Sequence, residues 1–149
     1  MRNLYLIRHG QSIYNLENRF TGWKDIGLTP LGESQAKEAG EILLDINFDY
    51  CYISNLKRAR HTLKFILNEI NQSPPIENNL ALNERDYGDL IGQNKAEAAE
   101  KFGAEQVQIW RRSFDVPPPG GESLKMTAER TLPYYKNTIL PKVINSDNV

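Results

Sequence analysis

An α/β fold is predicted, with a mostly parallel sheet flanked by helices. Three observations lead to it. Short apolar runs at Leu4-Tyr5-Leu6-Ile7 and Tyr50-Cys51-Tyr52-Ile53 read as strands. Apolar residues between and after them recur at helical spacing. The two kinds of segment alternate along the chain, as parallel sheets with crossover helices require.

Residues 3–7 read as a buried strand bounded by charge. Residues 9–28 are rich in Gly, Asn and Thr, show no period, and are predicted to form a long loop of the kind that carries function. Thr29-Pro30 then supplies an N-cap and a proline at the first helical position. Leu31, Ala36, Ala39, Leu43 and Ile46 fit one face of the helix that follows. Residues 50–53 form the second predicted strand, and Ser54 is placed to cap the next helix. In that helix Ala59, Leu63, Ile66, Leu67 and Ile70 make an apolar stripe. Ser73-Pro74-Pro75 breaks it, and a third strand is expected within residues 76–82. Residues 83–123 are predicted to be an irregular excursion with one short helix near 95–102. Within it the run Val116-Pro117-Pro118-Pro119-Gly120-Gly121 suits neither helix nor central strand. A last helix is expected from Ser123, with Leu124, Ala128, Leu132, Tyr135 and Ile139 on one side and a kink at Pro133. Residues 1–149 are expected to form a single domain, with no repeat or low-complexity tract.

The bulk composition narrows the function classes. A net charge of −1 gives no reason to expect nucleic acid or an anionic membrane as partner. The one cysteine, Cys51, rules out an internal disulfide and suits a reducing compartment. No stretch approaches a membrane span, and Arg8-His9 interrupts the apolar start before a signal peptide could form. A cytoplasmic protein is expected.

Arg8-His9-Gly10-Gln11 puts an imidazole and a guanidinium just past the first predicted strand, where open α/β sheets bind ligands. A neutral imidazole is a competent nucleophile toward phosphorus, an arginine can grip phosphate oxygens with two bonds, and Gly10 leaves the approach to the ring unblocked. Arg58, in the first turns of the next helix, is a candidate for the same site, since a helix N-terminus favours anions. Lys57 and Arg60 read as a solvated basic face, and mid-helix His61 as a structural residue. In Leu82-Asn83-Glu84-Arg85-Asp86-Tyr87-Gly88, Glu84 is a candidate proton donor and acceptor, against a plain charged loop as the alternative. Arg111 and Arg112, flanked by aromatics, and Lys95 are weaker signals. Converging with Arg8, Arg58 and Arg85, they would suit a ligand with more than one acidic group. No His, Cys, Asp or Glu cluster has metal-ligand spacing.

These segments resemble a known family. Arg8-His9-Gly10-Gln11-Ser12 followed by Asn15-Leu16-Glu17-Asn18-Arg19-Phe20-Thr21-Gly22-Trp23 is similar to the start of the cofactor-dependent phosphoglycerate mutases, within the histidine phosphatase superfamily. The likeness continues through Leu56-Lys57-Arg58-Ala59, Leu82-Asn83-Glu84-Arg85, Asn94-Lys95-Ala96-Glu97, Trp110-Arg111-Arg112-Ser113-Phe114 and Gly121-Glu122-Ser123-Leu124. The resemblance implies a three-layer α/β/α fold, with His9 as phosphohistidine nucleophile and Glu84 as acid and base for the substrate hydroxyl. Arg8 and Arg58 would hold the transferred phosphoryl group. Thr21, Gly22, Arg85, Tyr87, Lys95, Arg111 and Arg112 would hold the phosphoglycerate, with Gly10, Gln11, Ser12 and Asn15 lining the phosphate pocket. It implies interconversion of 3- and 2-phosphoglycerate, primed by 2,3-bisphosphoglycerate, with no metal. The substrate would be a small phosphorylated carboxylic acid. A phosphatase of the same superfamily and a non-catalytic, anion-binding remnant are the alternatives.

Two departures from the family pattern stand out. Asp86 replaces a histidine, and its carboxylate would raise the pKa of Glu84 if it pointed that way. The sequence also ends where the family's later strand, with a second catalytic histidine, should begin; His61 is not its counterpart. A truncated or split product lacking the C-terminal strands is therefore expected, slow or inactive and poorly stable alone. It would act as a homodimer or with a separate piece that supplies the missing strands.

Overall fold

The computed structural model describes residues 2–149. Helix α1 (Ile13–Leu16) is one turn, capped by Ser12, inside the stretch predicted as loop. Helix α2 (Pro30–Ile42) starts as expected, with the Thr29 side chain accepting from the Gly32 amide and proline at its start. Strand β1 (Cys51–Ile53), helix α3 (Lys57–Glu69) and strand β2 (Ile76–Asn78) follow in order. The cap of α3 differs from expectation. Leu56 occupies that position without a side-chain cap bond, and Ser54 Oγ instead accepts from the Leu56 amide at 3.4 Å.

β1 and β2 pair in parallel, Cys51 with Ile76 and Ile53 with Asn78. The pleat of β1 sends alternate side chains to opposite layers. Cys51 joins a core with Ile66, Leu67 and Ile70, covered by Ala39 and Leu43. Tyr52 turns the other way and meets Tyr134 edge-on, the two ring centroids 6.4 Å apart. So α2 and α3 cover one face, and Tyr134, at the end of helix α6 (Leu124–Tyr134), meets the other. The third predicted strand is only three residues long, because Asn79 caps a 3₁₀ turn at Leu80–Leu82.

The first predicted strand is not formed. Residues 3–7 make one parallel bridge, Asn3 with Asn148, and Leu6 is 88% exposed. Hydrophobicity alone does not make a strand; a partner backbone must run alongside.

The excursion is more ordered than expected. Helix α4 (Lys95–Phe102) has the predicted bounds, with the Asn94 side chain accepting from the amides of Ala96 and Glu97. A further helix, α5 (Ala104–Arg112), follows after Gly103 at φ +89°. Phe20, Leu90, Ala98 and Val107 form a second core beneath it, with Tyr87 and Trp110 alongside. Pro133 does perturb the last helix. α6 gives way to a π-helical turn at Tyr135–Ile139 before helix α7 (Leu140–Asn145). Of its predicted apolar face Ile139 is buried, while Leu124 and Leu132 are exposed.

Candidate active site

His9 is half-buried on the loop after the extended N-terminal segment. Its Nδ1 lies 2.6 Å from the Gly10 carbonyl oxygen, which makes Nδ1 the protonated nitrogen and leaves a lone pair on Nε2. Burial lowers the His9 pKa below 6.5; the Gly10 bond opposes this, the Arg58 and Arg8 cations add to it, and Glu84 opposes it. The ring is therefore neutral at pH 7.

Gly10 has a packing reason beyond leaving the ring open. A Cβ there would collide with the Gly32 backbone at the start of α2, and a Cβ on Gly32 would collide with the Gln11 backbone. The two chains touch backbone to backbone. Thr62 of α3 fixes the loop from the other side, accepting from the Gly10 amide at 3.1 Å and donating to the Arg58 carbonyl at 2.8 Å.

Arg58 is 1% exposed, and each of its three guanidinium nitrogens donates. Nε donates to His9 Nε2 at 3.3 Å, Nη1 to the Lys24 carbonyl at 3.1 Å, and Nη2 to the Gly22 carbonyl at 2.9 Å and Glu84 Oε2 at 2.7 Å. A guanidinium held so rigidly is a fixed positive charge beside the nucleophilic nitrogen. Gly22 sits at φ +50°, and a side chain there would press on the Tyr87 amide at 2.8 Å.

The structure thus brings His9, Arg58 and Glu84 into one contact set. The Lys95 pKa is lowered, by burial first and then by the Arg111 charge, with Arg8 also lowering it and Glu84 opposing. Arg111, Arg8 and Glu84 thus lie within electrostatic range of Lys95. Arg85 is buried, stacks on the Tyr87 ring at 4.7 Å, and donates to the Tyr87 hydroxyl and the Arg111 carbonyl. Its Nη1 is buried with no partner among the described residues, an unspent donor that suits an anion. Arg112 and Arg8 are exposed.

Other predicted residues have structural contacts of their own. Ser12 is fully buried as the cap of α1, its hydroxyl donating to Asn15 Oδ1 at 2.9 Å while it accepts from the Asn15 amide. Gln11 is tied by Thr29 Oγ1, which donates to its Oε1 at 2.8 Å. Thr21 is buried and its carbonyl accepts from the Lys24 amide. His61 is exposed on α3. The Asp86 carboxylate accepts from the Gly88 amide at 2.9 Å, while Glu84 turns to Arg58.

Sequence reasoning missed the clamp on the Glu84 loop. Arg130 of α6 donates to the carbonyls of Ala81, Asn83 and Glu84 at 2.9, 2.9 and 3.0 Å. Glu122 holds Arg130 through bonds of 2.7 and 2.9 Å and accepts from the Asp86 amide at 3.0 Å. Burial raises the Glu122 pKa, but the Arg130 and Asp86 bonds outweigh it and the net shift is downward. Trp23 lies under the Arg130 guanidinium and donates to the Glu84 carbonyl at 2.6 Å. No local motif marks this trio, since it unites three distant segments.

Comparison with known proteins identifies the family. The histidine phosphatase superfamily (branch 1) profile matches residues 4–139. The 2,3-bisphosphoglycerate-dependent phosphoglycerate mutase of Bradyrhizobium sp. (strain ORS 278) is 60% identical over 97% of this chain and 71% of its own length. Its counterpart in Parvibaculum lavamentivorans is 56% identical over 98% of this chain and 71% of its own length. Among solved structures, the alpha-ribazole phosphatase of Shigella flexneri superposes with a TM-score of 0.83 at 27% identity, covering 97% of this chain and 70% of that one. A mycobacterial glucosyl-3-phosphoglycerate phosphatase complexed with VO3 gives 0.80 at 28% identity, over 90% and 63%. The chain belongs to the 2,3-bisphosphoglycerate-dependent phosphoglycerate mutase family of the histidine phosphatase superfamily.

Proposed function

We propose that this site interconverts 3-phosphoglycerate and 2-phosphoglycerate by way of a phosphohistidine at His9, and that the protein works in the cytoplasm. One observation supports the reading above others: neutral His9 Nε2 faces the buried Arg58 guanidinium, which also holds the Glu84 carboxylate. The lone pair on Nε2 attacks phosphorus as the bond from phosphorus to the leaving oxygen breaks. Arg58 and Arg8 neutralise the phosphoryl oxygens, as positioning and charge stabilisation demand of phosphoryl transfer. In the return transfer Glu84 takes the proton of the attacking substrate hydroxyl, and it gives the proton back in the reverse direction.

The donor set suits 2,3-bisphosphoglycerate, which supplies the phosphoryl group that charges His9. Lys95, Arg111 and the unspent Arg85 donor would hold its carboxylate and second phosphate. Gly10, Thr21, Gly22, Tyr87 and Arg112 complete the proposed pocket, with Gln11, Ser12 and Asn15 supporting its wall.

A coupled assay with 3-phosphoglycerate, with and without 2,3-bisphosphoglycerate, tests the proposal. Turnover to 2-phosphoglycerate, however slow, that depends on the bisphosphate and vanishes in His9→Asn is expected. Release of inorganic phosphate without isomerisation would make the site a phosphatase instead.

A further inference from the structure

Helix α3 has no cap of its own, and the two loops of the site supply what it lacks. Leu56 offers no side-chain acceptor, so the amides at the helix start need partners from elsewhere. The Asp25 carboxylate accepts from the Lys57 amide at 2.6 Å. The Asn83 side-chain oxygen accepts from the Asn55 amide, just before the helix, at 3.0 Å. Caps are ordinarily local, yet both of these acceptors reach in from distant segments.

Arg58, second in the helix, returns both contacts. Its guanidinium donates to the Gly22 and Lys24 carbonyls, on the loop that carries Asp25, and to Glu84 Oε2, beside Asn83. Each loop thus gives one side-chain acceptor to the helix start and receives guanidinium donors back. Trp23 joins the two loops by donating to the Glu84 carbonyl. Three segments far apart in sequence are locked around one buried cation, whose Nε stands 3.3 Å from His9 Nε2. Among the described residues neither the Asp25 nor the Asn83 side chain hydrogen-bonds to His9. Asp25 is exposed and Asn83 is buried.

We propose that Asp25 and Asn83 are positioning residues: capping the start of α3 from the two site loops, they set where the Arg58 guanidinium stands relative to His9 Nε2 and Glu84. The consequence for rate rests on the phosphoryl transfer proposed above; the consequence for geometry does not. Without either acceptor the first turn of α3 frays, and Arg58 loses its aim although its own donors remain. A misplacement of about 1 Å at a reacting centre can cost about 10²-fold in rate.

The test compares Asp25→Ala with Asp25→Asn, which keeps a side-chain oxygen as acceptor, and with Asn83→Ala. Circular dichroism confirms that each is folded. The first readout is NMR of the free chain. In Asp25→Ala the Arg58 Nε–H should exchange faster with solvent, and the His9 titration should rise toward 6.5, because the Arg58 charge is one of those that depress it. Losing the Asp25 charge alone would move that titration the opposite way. The second readout is phosphorylation of His9 by 2,3-bisphosphoglycerate. Asp25→Ala should slow it about tenfold, with the half-saturating concentration changed by less than about twofold. Asp25→Asn should restore most of the rate, and Asp25→Ala should add nothing in an Arg58→Gln background. Asn83→Ala should share the NMR signature; because Asp25 is exposed, its two variants decide the matter even where Asn83→Ala does not fold.

An unchanged Arg58 signal and His9 titration in Asp25→Ala would overturn the proposal. So would equal slowing in the Arg58→Gln background, or an Asp25→Asn variant no better than Asp25→Ala. Absence of phosphorylation in the unsubstituted chain would count against the assigned reaction, while the NMR readout would still decide the positioning.

Discussion

Replacing Arg130 with methionine tests whether the Glu84 loop is held from α6. Four carbonyls lose a donor, but unequally: Leu80, reached only at 3.4 Å, keeps the Asn83 amide at 2.9 Å. Ala81 keeps the Thr131 hydroxyl at 2.8 Å, Glu84 keeps the Trp23 indole at 2.6 Å, and Asn83 has no replacement. Glu122, whose side chain is 15% exposed, loses its counter-charge and keeps the Asp86 amide and the Thr127 hydroxyl. One orphaned carbonyl costs about 1–3 kcal/mol, and a carboxylate left half-satisfied adds about 1 kcal/mol. Arg130→Met should therefore destabilise by about 2–4 kcal/mol in urea unfolding. Glu122→Gln, which keeps its shape and part of its bonding, should cost about 1–2 kcal/mol. The double variant should cost less than the sum, with a coupling of about 1–2 kcal/mol. Phosphorylation of His9 should slow in Arg130→Met under native conditions, because the loop that carries Glu84 moves. A loss under 0.5 kcal/mol together with an unchanged rate would refute the clamp.

Three further outcomes follow from the geometry. Arg58→Gln removes a cation that depresses His9, so the imidazole titration followed by NMR should move upward, and His9 phosphorylation should fall on the order of 10²–10³-fold. A static or lowered titration would contradict the Arg58–His9 contact. Gly10→Ala forces the His9 loop off Gly32 and should cost about 1–3 kcal/mol in urea unfolding; an unchanged midpoint would mean the backbones do not touch. The folded His9 pKa lies below its unfolded value of about 6.5, so the unfolded chain binds more protons in acid. His9 then contributes stability that is present above pH 6.5 and lost as pH falls through its folded pKa. The loss between pH 6.5 and 5 should be smaller in His9→Gln, and an identical profile would remove His9 as its source.

Legibility from the sequence followed the range of the interaction. Local signals worked: the Thr29-Pro30 start of α2, the bounds of α4, and the apolar stripe of α3. Helix α5 escaped because Val107 is its one buried residue in a run of glutamines and charges. The apolar run at residues 4–7 predicted burial, yet burial depends on a neighbouring backbone that the run itself does not encode. At the site, residue types singled out His9, Arg58 and Glu84, since nucleophile, cation and carboxylate are recognisable chemistry. Arg130, Glu122 and Thr62 were invisible, because their task is to hold backbone carbonyls and amides that have no signature. Ser12 carries a structural task that residue type alone did not show: its hydroxyl closes the first turn of α1.

Incubation of the chain with ³²P-labelled 2,3-bisphosphoglycerate, followed by mapping of acid-labile phosphate, tests the anion cradle around His9 most directly. The account predicts label on His9 alone, at Nε2, with none on exposed His61 and a sharp reduction in Arg58→Gln. Label on His61, or no label on His9 after prolonged incubation of the folded chain, would contradict it.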